Sequence, residues 1–311
     1  MRPAGTLLLG TRGSRLALTQ SETCAERLRA RGLQVEIRVV RTTSEYRPET
    51  PLSVIDRRDV FTRQIDEALL AGEIDLAVHS LKDVPTELPG GLVLAAISER
   101  HDPSDVLVSE AGWNTGGLPG GATVATGSLR RRAQLLHRRP DLNIVEIRGN
   151  VETRVRKMRE GDADAVVLAR AGLERLGLTS RVPHAALSPN AMLPAVGQGF
   201  LGVATLCDHP LRELLRGTLN DGEGERAALA ERAMLRALEG GCRVPVGALA
   251  FVREGEVRLR GLVASPDGAL MYEGEAAGRE PEDVGGRLAQ DLLDQGAGIV
   301  LGEIRGARSG G

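Results

Sequence analysis

Short apolar runs alternate along this chain with stretches whose apolar residues recur at helical spacing, a pattern that predicts an α/β fold. Thr6-Leu7-Leu8-Leu9-Gly10 reads as a first strand. Thr11-Arg12-Gly13-Ser14 is a turn, and a helix follows over about 15–31, with Ser14 placed to cap its start and Gly32 its end. The alternation at 35–40 predicts a second strand. Residues 41–58 carry two prolines and no period, so they read as a long loop of the lid or disordered kind. Asp59 is placed to cap a helix over about 60–71. The run Ile74-Asp75-Leu76-Ala77-Val78 then predicts a parallel strand buried on both faces. It leads into His79-Ser80-Leu81-Lys82-Asp83-Val84-Pro85. Pro85 ends the ladder and biases Val84 toward an extended conformation. Lys82 and Asp83 therefore sit on a loop at the carboxyl end of a strand, where open α/β sheets bind ligands.

The plan repeats. A strand over 122–125 is followed by the junction Thr126-Gly127-Ser128 and a helix over 129–138. A strand over 141–147 follows, and Arg148-Gly149-Asn150 opens a helix ending near Gly161. Gly161-Asp162-Ala163-Asp164-Ala165-Val166-Val167 then echoes Gly72-Glu73-Ile74-Asp75-Leu76-Ala77-Val78, glycine for glycine and aspartate for aspartate. The echo predicts two similar lobes, the first carrying the long loop as an addition. Beyond Leu193-Pro194-Ala195-Val196-Gly197-Gln198-Gly199 comes a strand over 200–206, which could return to the first lobe. A helix over 222–238 has a broad apolar face. A β-meander over 248–251, 257–264 and 269–272 and a helix over 281–293 complete a small α+β domain.

Composition narrows the class. The 311 residues suffice for two or three domains, and 41% hydrophobic with 26% charged residues is ordinary for a globular chain. Aromatics make up only 2%, so the cores must be aliphatic. A formal charge of −2 gives no global attraction to nucleic acid or membrane. Cys24, Cys207 and Cys242 lack the spacing of a zinc site or disulfide framework. No apolar run approaches the ~20 residues of a membrane span and no signal peptide is visible, so the expectation is a cytoplasmic protein without bound metal.

Three places stand out chemically. Lys82 and Lys157 are the only lysines against 38 arginines, so an ammonium at Lys82 beside the Asp83 carboxylate is notable, although a solvated surface pair is the plainer reading. Residues 130–159 hold ten basic and three acidic side chains. Arg138, Arg139, Arg156 and Arg159 read as a solvated face. Arg130, Arg131, Arg148 and Arg154 lie near helix starts, where backbone amides also favour anions. With no aromatic residue in that stretch to stack a base, a small polyanion fits better than nucleic acid. Cys24 and Cys207 read as buried small hydrophobes. Cys242 lies on a loop after two glycines, beside an arginine that favours thiolate.

Taken together, AVHSLKDVP at 77–85, SLRRRAQL at 128–135, IRGNVETR at 147–154, LARAGLERLG at 168–177, LPAVGQG at 193–199 and LEGGCRVPVGA at 238–248 closely resemble the porphobilinogen deaminase (hydroxymethylbilane synthase) family. The resemblance runs over essentially the whole chain. It implies two α/β lobes like those of periplasmic binding proteins and a C-terminal α+β domain. The expected domains are 1–98 with 199–218, 103–195, and 220–311. The implied reaction condenses four porphobilinogen molecules into linear hydroxymethylbilane with release of ammonia, built on a covalent dipyrromethane cofactor.

Carried over residue by residue, the resemblance makes Cys242 the thioether-bearing cysteine and Asp83 the catalytic carboxylate, which also serves the cofactor. Loss of ammonia leaves a cationic azafulvene, and a fixed carboxylate stabilises such charge and can relay protons to the amine. Lys82, Thr126, Ser128, Arg130 and Arg131 match the cofactor-holding set. Arg12, Ser14, Arg148 and Arg154 match the set for the incoming ring, with Gln20, Arg175 and Gln198 beside them. The chain departs from the family where Asp56-Arg57-Arg58-Asp59 replaces a usual Gly-Gly-Lys-Gly, and where Thr42-Thr43-Ser44-Glu45 replaces Thr-Arg-Gly-Asp. The expectation is a monomer that binds neither nucleic acid nor membrane. The alternatives are a diverged paralogue with impaired turnover and a non-catalytic two-lobed polyanion-binding protein.

Overall fold

The computed structural model describes residues 5–41, 62–238 and 244–309. The loop from 43 to 59, with the Asp59 cap, and Cys242 lie outside the described residues.

In the first lobe β1 (Thr6–Thr11) pairs in parallel with β2 (Gln34–Val39), and α1 (Arg15–Arg29) connects them. The helix is two residues shorter than its periodicity predicts, and Gly32 follows at φ +82°. α2 (Arg63–Leu70) starts with Thr62 in the capping position. β3 (Leu76–Ser80) lies parallel to β1, and its buried run is as the sequence predicts. β4 (Leu92–Ile97) follows, an apolar run that is not among the predicted strands.

The second lobe begins with another unmarked strand, β5 (Asp105–Val108). Then come β6 (Thr123–Ala125), α3 (Leu129–Arg138), β7 (Asn143–Val145) and α4 (Val151–Lys157). The predicted strand over 141–147 shrinks to three paired residues, since Leu142 is still in a turn closed on the Arg139 carbonyl. A wider turn (Met158–Asp162) follows α4, and Gly161 at φ +96° ends it near the expected place. β8 (Ala165–Ala169), α5 (Arg170–Arg175) and β9 (His184–Leu187) complete the lobe.

β10 (Leu201–Leu206) then returns to the first lobe, antiparallel between β3 and β4. The two sheets have one plan: β2-β1-β3-β10-β4 in the first and β7-β6-β8-β5-β9 in the second. In each, three parallel strands are followed by an inserted antiparallel one. β3 and β8 hold the same place, as the glycine-aspartate echo predicts. Each core is aliphatic, with Leu9, Leu28 and Leu76 fully buried in one and Leu107, Val124 and Val167 in the other. Each such side chain contributes about 2 kcal/mol relative to exposure.

α6 (Arg212–Leu219) and α7 (Gly222–Ala237) lead to the meander β11 (Val246–Arg253), β12 (Glu256–Ala264) and β13 (Met271–Gly278). α8 (Pro281–Leu292) packs on that sheet, and α9 (Gly298–Ser309) extends beyond the predicted last helix. The chain divides into two compact units. One comprises the residues up to His101 with Gly199–Glu225, the other Asp102–Gln198 with those from Arg226 on. The meander thus belongs to the unit of the second lobe. Leu262 and Ala264 cluster with Ala133 and Leu193, and His137 Nδ1 lies 2.9 Å from the Gly268 carbonyl.

Candidate functional site

In each lobe most of the predicted site residues follow the carboxyl ends of the parallel strands, while Gln20 and Arg175 lie within helices. In the first lobe β3 ends in a single 3₁₀ turn (Leu81–Asp83). Buried Leu81 anchors it, its N–H donating to the Phe200 carbonyl at 3.1 Å, and Val84 is extended before Pro85 as predicted. Lys82 and Asp83 are half-buried between Leu81 and Val84. Ser14 caps α1, its Oγ accepting from the Ala17 N–H at 3.3 Å. Gln20 is buried and donates from Nε2 to Ser80 Oγ at 2.9 Å, which fastens α1 to the end of β3.

The sequence reading missed His79. Burial and the positive charge of Arg12 lower its pKa to about 4, against the opposing pull of Asp83. The imidazole is neutral near pH 7. The same interactions bring Arg12 and Asp83 to one neighbourhood at the ends of β1 and β3. Position in the HSLKDVP run was the available signal, but a histidine inside a buried strand reads as core.

In the second lobe the centre is a residue absent from the predicted set. Asp105, fully buried, accepts from Arg130 Nη2 on Oδ2 and from Arg131 Nη2 on Oδ1, both at 2.8 Å. Gln198 Nε2 donates to the same Oδ1 at 2.8 Å and to the Pro103 carbonyl at 2.7 Å. Burial alone would raise the Asp105 pKa, but the two arginines and these hydrogen bonds hold it well below the carboxylate range. The carboxylate is charged, and the triad carries a net +1. Arg130 and Arg131 are only 4% and 5% exposed, so both are interior groups. Gln198, 1% exposed, belongs to the support of Asp105.

Ser128 caps α3 through the Arg131 N–H at 3.5 Å, and its own N–H donates to Thr126 Oγ1 at 3.2 Å. Arg148 places Nε on Glu146 at 3.1 Å, and Arg154 Nε donates to the Gly149 carbonyl at 2.8 Å. Asn150 caps α4 by accepting from the Thr153 N–H at 2.8 Å. The four residues 148, 149, 150 and 154 thus form one braced corner. Arg175 is half-buried in the last turn of α5. Of the arginines read as solvated, Arg156 and Arg159 are exposed and paired with Glu160 and Glu110. Arg139 departs from that reading: it chelates Asp141 and donates to the Thr115 and Leu118 carbonyls. Among the described residues no cluster of His, Cys, Asp and Glu could hold a metal.

The donor set of the second lobe suits a group bearing carboxylates. It offers the Thr126 and Ser128 hydroxyls, a net positive triad, and Arg131 Nε, which is buried with no acceptor among the described residues.

A family model described as porphobilinogen deaminase, dipyromethane cofactor binding domain, matches residues 7–211, and one for the porphobilinogen deaminase C-terminal domain matches 226–294. The chain is 66% identical over 305 residues to porphobilinogen deaminase of Rubrobacter xylanophilus, covering 98% of this chain and 99% of that one. It is 49% identical over 305 residues to porphobilinogen deaminase of Desulforudis audaxviator, covering 96% and 98%. Among solved structures, an ABC transporter periplasmic substrate-binding protein from Coxiella burnetii is 19% identical with a TM-score of 0.43, covering 70% of this chain and 92% of that one.

Proposed function

The chain belongs to the porphobilinogen deaminase family, and we propose that it condenses porphobilinogen into linear hydroxymethylbilane with the roles divided by lobe. The observation that carries this reading is the 66% identity sustained over 98% of the chain.

On the first lobe Asp83 is the catalytic group. Its carboxylate sits on a turn fixed by Leu81 and Phe200, so it faces charge without reorganising. In its protonated form it gives a proton to the departing amine, and the carboxylate so formed accepts from the pyrrole N–H and stabilises the positive charge left as ammonia departs. His79, being neutral, does not compete as a cation for Asp83. Arg12 supplies a fixed positive charge for a substrate carboxylate, and Ser14 and Gln20 hold the α1 start that carries it.

On the second lobe Arg148 and Arg154 take the carboxylates of the incoming ring, with Arg175 beside them, because a guanidinium fork matches a carboxylate in geometry and charge. Thr126, Ser128, Arg130 and Arg131 would hold the dipyrromethane cofactor, with Cys242 as its covalent anchor. When bound, that group supplies the pyrrole carbon from which the chain is extended. No helix among the described residues is long and apolar enough to cross a membrane. The same reading makes the enzyme a cytoplasmic monomer.

The test is the intact mass of the purified chain, followed by assay of ammonia and bilane release from porphobilinogen. A dipyrromethane adduct that disappears in Cys242→Ala, with turnover in the wild type, is expected. An adduct that persists in Cys242→Ala rejects the anchor, and an adduct-free, inactive wild type rejects the function.

A further inference from the structure

The second lobe buries a charged triad where the first lobe has apolar residues, although the surrounding backbone is laid out alike. Ser128 caps α3 through the N–H of Arg131, three residues on, as Ser14 caps α1 through that of Ala17. Arg170 N donates to the Ser104 carbonyl at 3.0 Å, as Leu81 N donates to that of Phe200 at 3.1 Å. Asp105 pairs with Ala169, the last residue of β8, as Leu201 pairs with Ser80, the last of β3. Asp105 therefore stands where the first lobe has buried Leu201. Arg130 and Arg131 stand where it has Leu16 and Ala17.

We infer that Asp105 is a positioning residue whose buried carboxylate aims the Arg130 and Arg131 guanidiniums at the cofactor's carboxylates, and that the fold does not need it. The inference rests on the cofactor reading of those two arginines. Three points support it. A buried ion triad gives little net stability, because desolvation of the charges offsets their attraction. The first lobe builds the same corner with apolar side chains. And β5 runs antiparallel to β8, which brings Asp105 to the edge where β6 and β8 end and where Thr126 and Ser128 lie. There each carboxylate oxygen accepts from one Nη2, while the Nη1 atoms of Arg130 and Arg131 donate to the Leu193 and Val167 carbonyls, and Gln198 fixes the carboxylate by bonding both Oδ1 and the Pro103 carbonyl. Without the negative charge, two guanidiniums on adjacent residues repel each other and lose their aim.

The experiment uses the full chain as wild type, Asp105→Asn, Asp105→Glu, and a triple variant, Arg130→Leu with Arg131→Ala and Asp105→Leu, that restores the first lobe's residues. Each is measured by intact mass for the adduct, by thermal unfolding, and by kcat and KM for porphobilinogen. The triple variant should fold with a Tm at or above that of the wild type and carry no adduct. Asp105→Asn should carry about tenfold less adduct than the wild type, since misplacing a binding group costs this much or more. Asp105→Glu, which keeps the charge, should recover part of it. A triple variant that does not fold, or full adduct on Asp105→Asn with unchanged kcat and KM, would overturn the inference. Should Asp105→Asn not fold, Gln198→Leu replaces it: lowered adduct is expected, and full adduct overturns the inference. A wild type without adduct overturns the cofactor reading and this inference with it.

Discussion

Asp75 and Asp164 perform one task in two lobes: each sends Oδ2 to a backbone N–H on the neighbouring parallel strand, that of Leu8 or of Thr123, at 2.7 Å. Each also donates its own N–H to the carbonyl of that same residue, at 2.8 and 2.9 Å. The aspartate-for-aspartate echo in the sequence is therefore a repeated clamp that fixes the register of β3 on β1 and of β8 on β6.

The two clamps differ in burial, so their loss should differ in cost. Asp75 is largely covered and lies 3.7 Å from His209, whereas Asp164 is exposed. Asp75→Ala should lose about 2 kcal/mol of stability and Asp164→Ala about 1 kcal/mol or less. Urea unfolding of the two variants measures this, and equal losses would contradict it.

His79 should make the fold acid-sensitive. Its folded pKa of about 4 lies below the unfolded value of 6.5, so between these pH values the unfolded chain binds the extra proton. Stability is then full above pH 6.5 and falls as the pH drops toward 4, by about 3 kcal/mol for this group. His79→Gln should flatten that part of the pH profile of unfolding free energy. An unchanged slope between pH 6.5 and 4 in the variant would show that another group is responsible.

Asp83→Asn and Arg148→Leu should separate chemistry from binding. The first keeps size and removes charge, so kcat should fall about 100-fold or more with KM little changed. The second removes a carboxylate partner, so KM should rise while single-turnover chemistry at saturation is less affected. Near-normal kcat in Asp83→Asn would reject its catalytic role.

The corner before α4 depends on Gly149. Its φ of +110° disfavours other residues, and an added Cβ would lie 2.6 Å from Thr153 Cγ2. Gly149→Ala should destabilise by about 1–3 kcal/mol and raise KM through misplaced Arg148 and Arg154. Adding Thr153→Ser, which deletes Cγ2 but keeps Cβ at 2.8 Å, should recover part of the clash and leave the rest together with the part due to φ. Recovery of none of it in the double variant would mean that the contact is not the cause.

The sequence made most of this arrangement legible where the signal was local. Ser14, Ser128 and Asn150 announce helix starts, Pro85 fixes the turn that carries Asp83, and the motif-bearing arginines sit at the predicted junctions. Asp105 was hidden because its partners are 25, 26 and 93 residues away. It is also the first residue of a four-residue strand with no period to read. β9, also four residues long, escaped for the same reason. Arg130 and Arg131 were read as groups facing an anion, and only packing reveals that each already grips an internal carboxylate.

The return of β10 to the first sheet has a consequence for how the chain acquires its structure during synthesis. β3 and β4 are made early, yet the strand that joins them emerges only after all five strands of the second lobe. On a ribosome the second lobe's sheet can close while the first still exposes two strand edges awaiting their shared neighbour. The order of maturation is therefore the reverse of the order of translation, and the turn at Leu81–Asp83 that carries the proposed catalytic carboxylate is the late arrival, because the Phe200 carbonyl that anchors it comes with the same segment. Stalled chains ending before β10 should bind holdase chaperones through those edges, and chains extended past it should not.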